Sequence, residues 1–210
     1  MICGYGVKVA THALGACAKR RVSSNLTIRT RGFVPSFFFV SRNPYRYMKQ
    51  NREFIVYGKT IDERKFVKPH NGHNQFINKP DGGLWASPTN SRWGWRDWCS
   101  SENFPITLDV WTRFRLTPET RVLEIHCLDH LRDVFSRYGR RHPQLGMVFL
   151  DWNLLRAHYD GVFLSEQGNN ECHLPLELGA PDLNSWDCES LLILDLSKIV
   201  VIRESDKKEK

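Results

Sequence analysis

Short runs of β-branched and aromatic residues recur along the chain after residue 52, and stretches rich in polar residues, glycine and proline separate them. Runs of this length, bounded by turn residues, predict β-strands. The predicted strands cover residues 53–58, 84–87, 106–116, 121–126, 160–165, 190–196 and 198–202. The last two are mostly apolar, which is typical of buried strands.

Helical spacing of apolar residues is found in fewer places. Residues 127–139 have this spacing and end at a glycine, as a helix often does. Residues 150–159 predict a second helix, and residues 87–103 predict an irregular helical segment that begins with the capping sequence Ser-Pro-Thr-Asn. Six or seven short strands with two or three helices, in no regular βαβ order, predict an α+β fold of roughly one domain.

The stretch from residue 59 to residue 83 is polar and full of turn residues, so we expect a loop with at most one helical turn. Loops of that length within compact domains are often functional.

The composition is that of a globular protein: 41% of the 210 residues are hydrophobic and 12% are aromatic. No apolar run approaches the roughly 18 residues of a membrane span. We therefore predict no membrane association.

The formal net charge of +7 is concentrated at the N-terminus. Residues 1–47 contain eight Lys and Arg and no Asp or Glu, which leaves 22 basic against 23 acidic residues, a net charge of −1, in the rest of the chain. This distribution argues against a basic nucleic-acid groove running through the body of the fold.

The basic segment 1–47 is interpreted in three ways. Its Arg- and Ser-rich, acid-free composition is typical of an organelle transit peptide. The alternatives are a basic arm for anionic partners and a leader preceding a true start at Met48. We expect the domain itself to span residues 48–203 and residues 204–210 to be a charged tail. Organelle targeting stays open, and without an export signal we otherwise expect a reducing, cytoplasmic location.

The six cysteines form no CxxC pair. His126, Cys127 and His130 lie close together in the sequence, as do Cys172 and His173, but their spacing matches no standard structural zinc site. We therefore predict buried free cysteines and no metal.

Three short stretches carry residues suited to chemistry. The first is Tyr57-Gly58-Lys59, at the end of a predicted strand. The second runs from Gly83 through Trp85 to Ser87 and is followed by an aromatic-rich helix; the third is Asp187-Cys188-Glu189-Ser190, before a late strand. Glycines allow a ligand to approach the backbone, and indoles bind flat rings. The alternative is that the glycines form a turn and the aromatic residues pack in the core.

The order of these stretches resembles the ADP-ribosyltransferase fold, in its poly(ADP-ribose) polymerase branch and in its bacterial and phage toxin branch. The resemblance covers roughly residues 53–200 and implies a compact, split β-sheet core. In that family the first motif usually carries His-Gly or an Arg, where this chain has Tyr57-Gly58.

The resemblance implies that NAD is the substrate. Trp85 matches an aromatic residue that stacks on nicotinamide, and Trp95 or Trp98 matches a second aromatic residue that closes the other face. Glu189 matches the catalytic glutamate, and Asp187 stands where a preceding acid would orient or deprotonate the acceptor. The implied cofactor-binding residues are Tyr57, Gly58, Lys59, Gly83, Trp85, Ser87, Trp95 and Trp98.

Elementary chemistry is compatible with these roles. Nicotinamide is flat and electron-poor, so an indole face binds it well, and we expect the Gly58 N–H and C=O to pair with its carboxamide. Cleavage of the nicotinamide–ribose bond passes through an oxocarbenium-like state that a nearby carboxylate stabilises.

The expected function is therefore transfer of ADP-ribose from NAD to a macromolecular acceptor, either protein or nucleic acid. The alternatives are simple NAD hydrolysis, a non-enzymatic binding module of the same fold, and a nucleic-acid binder that uses the basic segment 1–47.

Overall fold

The computed structural model describes residues 51–72, 77–143, 146–175 and 180–202, so the basic segment 1–47 and the tail 204–210 lie outside the described residues. The strands are β1 (Glu53–Tyr57), β2 (Leu84–Pro88), β3 (Trp111–Leu116), β4 (Val122–Ile125), β5 (Gly139–Arg141), β6 (Val148–Leu150), β7 (Gly161–Leu164), β8 (Ser190–Ile193) and β9 (Ile199–Ile202). The α-helices are α1 (Trp95–Ser101), α2 (Leu128–Tyr138), α3 (Trp152–His158) and α4 (Glu166–Cys172).

Seven of these strands form one mixed sheet in the order β4-β7-β8-β2-β1-β3-β9, and β5 and β6 form a separate hairpin. The β4–β7 pair is parallel, and the other neighbours in the large sheet are antiparallel. A large mixed sheet with four helices in the described residues confirms the predicted α+β class.

The sheet has an apolar core on each face. On one face, β-strand side chains such as Leu123 and Leu192 pack with residues of helices α2 and α3, including Leu131 and Leu155. The opposite face is built around Phe54, Phe114 and Phe163. Because side chains alternate along a strand, β7 and β8 contribute to both cores.

Strand β2 joins the two halves of the sheet. Residues Leu84–Ala86 pair with β8, whereas the next two residues, Ser87 and Pro88, pair with β1. The ladder between β1 and β2 contains only the pairs Phe54–Pro88 and Ile55–Ser87. The two strands are therefore joined at one end and unpaired at the other.

Several element boundaries differ from the prediction. Helix α1 begins at Trp95 with Gly94 as its N-cap, not at the Ser-Pro-Thr-Asn sequence, and β3 begins at Trp111 rather than at residue 106. The hairpin β5–β6 and helix α4 were not predicted. Helix α4 is polar, but its buried Gly168 lies so close to β4 that an added Cβ would be 2.3 Å from the Ile125 carbonyl oxygen.

In the described ranges, none of the helices combines the length and apolarity needed to span a bilayer.

A buried carboxylate fixes the start of β7 beside β4. Asp160 accepts two hydrogen bonds from the Arg121 guanidinium, at 3.0 and 3.1 Å, and one from the Arg121 backbone N–H at 2.8 Å. Burial raises the pKa of Asp160, but the hydrogen bonds and charge of Arg121 outweigh this effect and hold the pKa below its ordinary value. The ionised form is thus the one that stabilises the fold.

We expect Asp160→Asn to lower the free energy of unfolding by about 1.5–3 kcal/mol at neutral pH, the range for hydrogen bonds to charged groups. The pKa of Asp160 is lower in the native than in the unfolded state, so its stabilisation is complete above the unfolded pKa and disappears as the pH falls through the native pKa. Urea unfolding at several pH values measures this loss.

The matched control is Asp129→Asn, which removes an 83% exposed carboxylate from its pair with Arg132. Exposed pairs contribute little, and a carboxylate in the first turn of a helix contributes up to about 1 kcal/mol, so its stability should stay within about 1 kcal/mol of the wild type at every pH. An Asp160→Asn variant with unchanged stability at neutral pH would show that the Arg121 pair does not stabilise the fold.

Candidate functional site

A cavity of about 260 Å³ opens where β1 and β2 separate. We call it the cleft, and its walls come from β1, β2, the start of α1 and the segment that leads into β8. The lining residues are Ile55, Val56, Tyr57, Lys59, Lys79, Trp85, Ala86, Ser87, Trp95, Ser185, Trp186, Asp187, Cys188 and Ser190. Six residues predicted from the sequence meet here: Tyr57, Lys59, Trp85, Ser87, Trp95 and Asp187.

The hydrogen-bonding groups of the backbone of Tyr57 face the cleft. Glu53 accepts a bond from the Thr89 N–H, and Ile55 pairs with Ser87, so alternate residues of β1 direct their N–H and C=O toward β2. Tyr57 is next in this series, but in the described residues the β1–β2 ladder ends at Ile55. Its N–H and C=O therefore form an open strand edge, which can bind a group carrying both a donor and an acceptor.

The sequence assigned this role to Gly58, and the structure corrects it. The Gly58 N–H donates to the Val110 carbonyl at 2.8 Å and so faces β3, on the other side of β1. A shift of one residue along a strand reverses the direction of the backbone groups. Gly58 instead ends β1 with a φ of +77°.

Trp85 forms an aromatic wall of the cleft together with Trp186. Its ring contacts Trp186 edge to face, with centroids 4.6 Å apart. The Lys79 ammonium lies 5.0 Å from the centre of the Trp85 ring and donates a long bond of 3.4 Å to the Ser185 carbonyl. The indole face thus already holds a cation.

Trp95 lines the cleft, whereas Trp98 supports it from outside. The two indoles stack with centroids 5.0 Å apart, and Phe104 packs against both. The backbone N–H of Trp95 donates to the Ser87 hydroxyl at 2.8 Å, so that buried serine holds the start of α1 against β2. Of the two tryptophans predicted for the second wall, Trp95 is the one placed there.

The segment before β8 supplies the acidic group of the cleft. The Asp187 carbonyl accepts a bond from Trp93 Nε1 at 3.2 Å, and within the described residues its carboxylate has no ion-pair partner. Burial raises the pKa of the neighbouring Cys188 to about 11 despite hydrogen bonds to Ser190 and Ser87. Cys188 is therefore a neutral thiol at physiological pH, not a nucleophile.

Glu189 does not line the cleft. Its side chain is 7% exposed, and its carboxylate accepts a bond of 2.9 Å from Arg52. The Arg52 guanidinium lies over Phe163, a member of the core on the opposite face of the sheet. The structure thus separates Glu189 from Trp85, and its geometry does not place this carboxylate beside a ligand in the cleft.

Gly83 and Lys59 occupy different positions around the cleft. Gly83 does not line it but lies immediately before β2, where an added Cβ would be 2.5 Å from Leu192 Cδ1. Lys59 is exposed and lines both the cleft and a second cavity of about 470 Å³ that includes Lys65.

The zinc-type ligands are not arranged around a common point. Across the described ranges, no group of three or more His, Cys, Asp and Glu side chains is placed to hold a metal ion. His126 instead bonds Glu124 through Nε2 at 2.8 Å, and Cys172 is buried in the core.

Sequence reasoning missed Lys79 and Trp186 as cleft residues, and it named Ser190 only as the end of the stretch before β8, without a role. Lys79 comes from the long loop, whose path cannot be predicted from local patterns. That Ser190 faces the cleft could have been predicted, because side chains alternate along β8 and the neighbouring Leu191 packs in the core on the other face of the sheet.

Comparisons of the chain with models of known protein families, with curated proteins and with solved structures find no match. The function is therefore argued from the cleft itself.

Gly58 and Gly83 provide a matched test of how tightly the chain packs at the start of β2. Both have a φ of +77°, but a Cβ at Gly58 has no neighbour within 4 Å, whereas one at Gly83 would overlap Leu192. Gly58→Ala should lower the free energy of unfolding by about 1–2 kcal/mol through backbone strain alone. Gly83→Ala should lower it by a further ~1–3 kcal/mol through steric overlap. Urea unfolding measures both, and equal losses would contradict the close packing at Gly83.

Proposed function

We propose that the cleft binds the nicotinamide end of NAD and that the protein transfers ADP-ribose from NAD to a macromolecular acceptor. The observation that carries the proposal is the open edge of Tyr57 beside the indole of Trp85. One surface of the cleft suits a flat ring, and the adjacent edge suits a carboxamide.

Recognition would combine stacking with paired hydrogen bonds. A carboxamide has one donor and one acceptor face, which complement the C=O and N–H of Tyr57. The nicotinamide ring of NAD is cationic, and the Trp85 face already accommodates the Lys79 ammonium at 5.0 Å. Ring binding requires Lys79 to leave that face.

Two lysines can hold the phosphates. Lys59 lies between the cleft and the second cavity, and Lys79 is next to the cleft on the side of Ser185. Ammonium groups bind phosphate as flexible point charges. Released from Trp85, Lys79 would exchange a cation–π contact for a phosphate contact.

Asp187 is the carboxylate that we assign to the chemistry. The bond between ribose C1′ and the nicotinamide nitrogen breaks, and its electron pair neutralises the pyridinium nitrogen. The positive charge left on the ribose is stabilised by a nearby carboxylate, and an acceptor nucleophile then bonds to C1′ and loses its proton. Asp187 can take that proton as a general base.

One observation favours a second candidate, a binding module without catalysis. Glu189, the residue that the resemblance to ADP-ribosyltransferases matches to the catalytic glutamate, is ion-paired with Arg52 outside the cleft. A module of this kind would bind nicotinamide without releasing it from NAD.

Purified protein incubated with NAD tests the proposal by chromatographic detection of nicotinamide. We expect the wild type to release nicotinamide and Asp187→Asn to release it ~100-fold more slowly, the usual effect of removing one preorganised electrostatic group. NAD binding, followed by quenching of tryptophan fluorescence, should be little changed in Asp187→Asn.

Each substitution in the cleft has a control variant at a similar residue outside it. Asp182→Asn alters a carboxylate of the same segment that does not line the cleft, and should release nicotinamide at the wild-type rate. Trp85→Leu should weaken NAD binding, whereas Trp98→Leu, outside the cleft, should weaken it much less. Binding without release by the wild type would favour the module, and no binding at millimolar NAD would refute both candidates.

A further inference from the structure

The ion pair between Arg52 and Glu189 connects the two halves of the sheet across β2. Arg52 lies just before β1, Glu189 lies just before β8, and in the sheet order β2 separates these strands. The pair lies at the end where β1 and β2 are still joined, through Phe54–Pro88 and Ile55–Ser87. The cleft begins at the second of these pairs, because Ile55 and Ser87 both line it, and it extends from there to Tyr57 and Trp85.

Arg52 is held in place by more than its charge. Its guanidinium carbon lies 4.6 Å from the centre of the Phe163 ring and 6.0 Å from that of Phe54, so it covers the apolar core on the face away from the cleft. Its side chain is 28% exposed, whereas that of Glu189 is 7% exposed. Removing Arg52 would leave a buried carboxylate without a counter-charge, which is strongly unfavourable.

Two residues, Trp93 and Arg52, fix the segment that carries Asp187. On one side, the Trp93 carbonyl accepts a hydrogen bond of 3.0 Å from the Glu189 N–H. The Trp93 indole Nε1–H donates a second one, of 3.2 Å, to the Asp187 carbonyl. On the other side, Arg52 holds the Glu189 carboxylate. Cys188 lies between these anchors and faces the cleft.

We propose that Arg52 and Glu189 are positioning residues, an ion pair on the reverse face of the sheet that holds residues 187–189 against β2 and thereby places Asp187 in the cleft. Glu189 then acts through the position of its neighbours and does not touch the substrate. The proposed effect on catalysis rests on the function proposed above, whereas the effect on the cleft wall does not.

Site-resolved thiol labelling tests the position of the wall without any ligand. Cys188 is 2% exposed in the cleft wall, and Cys172 is 0% exposed in the helical core, so Cys172 serves as an internal control. Burial raises the pKa of both thiols, to about 11 and about 12, so each reacts only when its surroundings open. Pulse labelling with a maleimide and peptide mass spectrometry give both rates in one sample.

Arg52→Met should increase the labelling rate of Cys188 at least ~10-fold and leave that of Cys172 unchanged, because the opening is local. Glu189→Gln keeps an oxygen acceptor for Arg52 and should change the Cys188 rate by less than about threefold. Arg121→Met is the control for loss of an ion pair to a buried carboxylate elsewhere, and should leave Cys188 protected. If Arg52→Met fails to fold, Arg52→Lys, which keeps the charge on a shorter side chain, should show a smaller but equally selective increase.

Nicotinamide release provides the second readout. Arg52→Met should lower it at least ~10-fold, whereas Glu189→Gln should retain it within about threefold, the reverse of what a catalytic glutamate would show. The proposal would be overturned if Glu189→Gln abolished nicotinamide release while Cys188 stayed protected. It would also be overturned if the Arg52 variants labelled Cys188 and Cys172 equally, or if neither labelling rate changed. If the wild type releases no nicotinamide, the proposed function fails, and the labelling result alone decides whether the pair positions the wall.

Discussion

The early end of the β1–β2 ladder is the constraint on which the rest of the site depends. Two neighbouring strands that stop pairing after Ile55–Ser87 must leave backbone groups without ladder partners, and such groups are costly unless water or a ligand satisfies them. The cleft forms in this gap, and the N–H and C=O of Tyr57 face into it. The aromatic walls then determine what kind of ligand fits, because Trp85 packs edge to face against Trp186 within the cleft wall and Trp95 is supported from outside the cleft by Trp98.

The two faces of the sheet divide the polar residues into two groups with different tasks. Asp187, Lys59 and Lys79 are on the cleft side, where their charges are accessible to a ligand. Arg52 and Glu189 are on the reverse side, where the carboxylate is buried and already paired. A carboxylate that already has an ion-pair partner in the folded protein is less suited to bind a substrate. We therefore assign the chemistry to Asp187 and a positioning role to Glu189.

The α+β class was predictable because the central strands combine β-branched and aromatic residues with clear turn residues. Tyr57, Trp85 and Asp187 were singled out from the sequence, through the three stretches suited to chemistry and the resemblance to ADP-ribosyltransferases, and they line one cleft; their roles stay predictions. The sequence analysis did not deduce that the Gly58 backbone faces β3 or that the Glu189 side chain lies on the face away from the cleft. Both follow from alternation along a strand once the neighbouring residues Tyr57 and Ser190 are placed in the cleft. Lys79 and Trp186 could not have been found, because they reach the cleft through long-range packing. Helix α4 was missed because tertiary contacts at Gly168 outweigh its poor helical composition.

Amide hydrogen exchange at Tyr57, followed by NMR with and without nicotinamide, tests the central claim most directly. In the free protein the Tyr57 amide should exchange much faster than that of Gly58, which donates to Val110 at 2.8 Å. Millimolar nicotinamide should slow exchange at Tyr57 and shift its resonance together with the indole resonance of Trp85, while Gly58 stays unchanged. A Tyr57 amide that is protected without ligand, or one that does not respond to nicotinamide, would contradict the account.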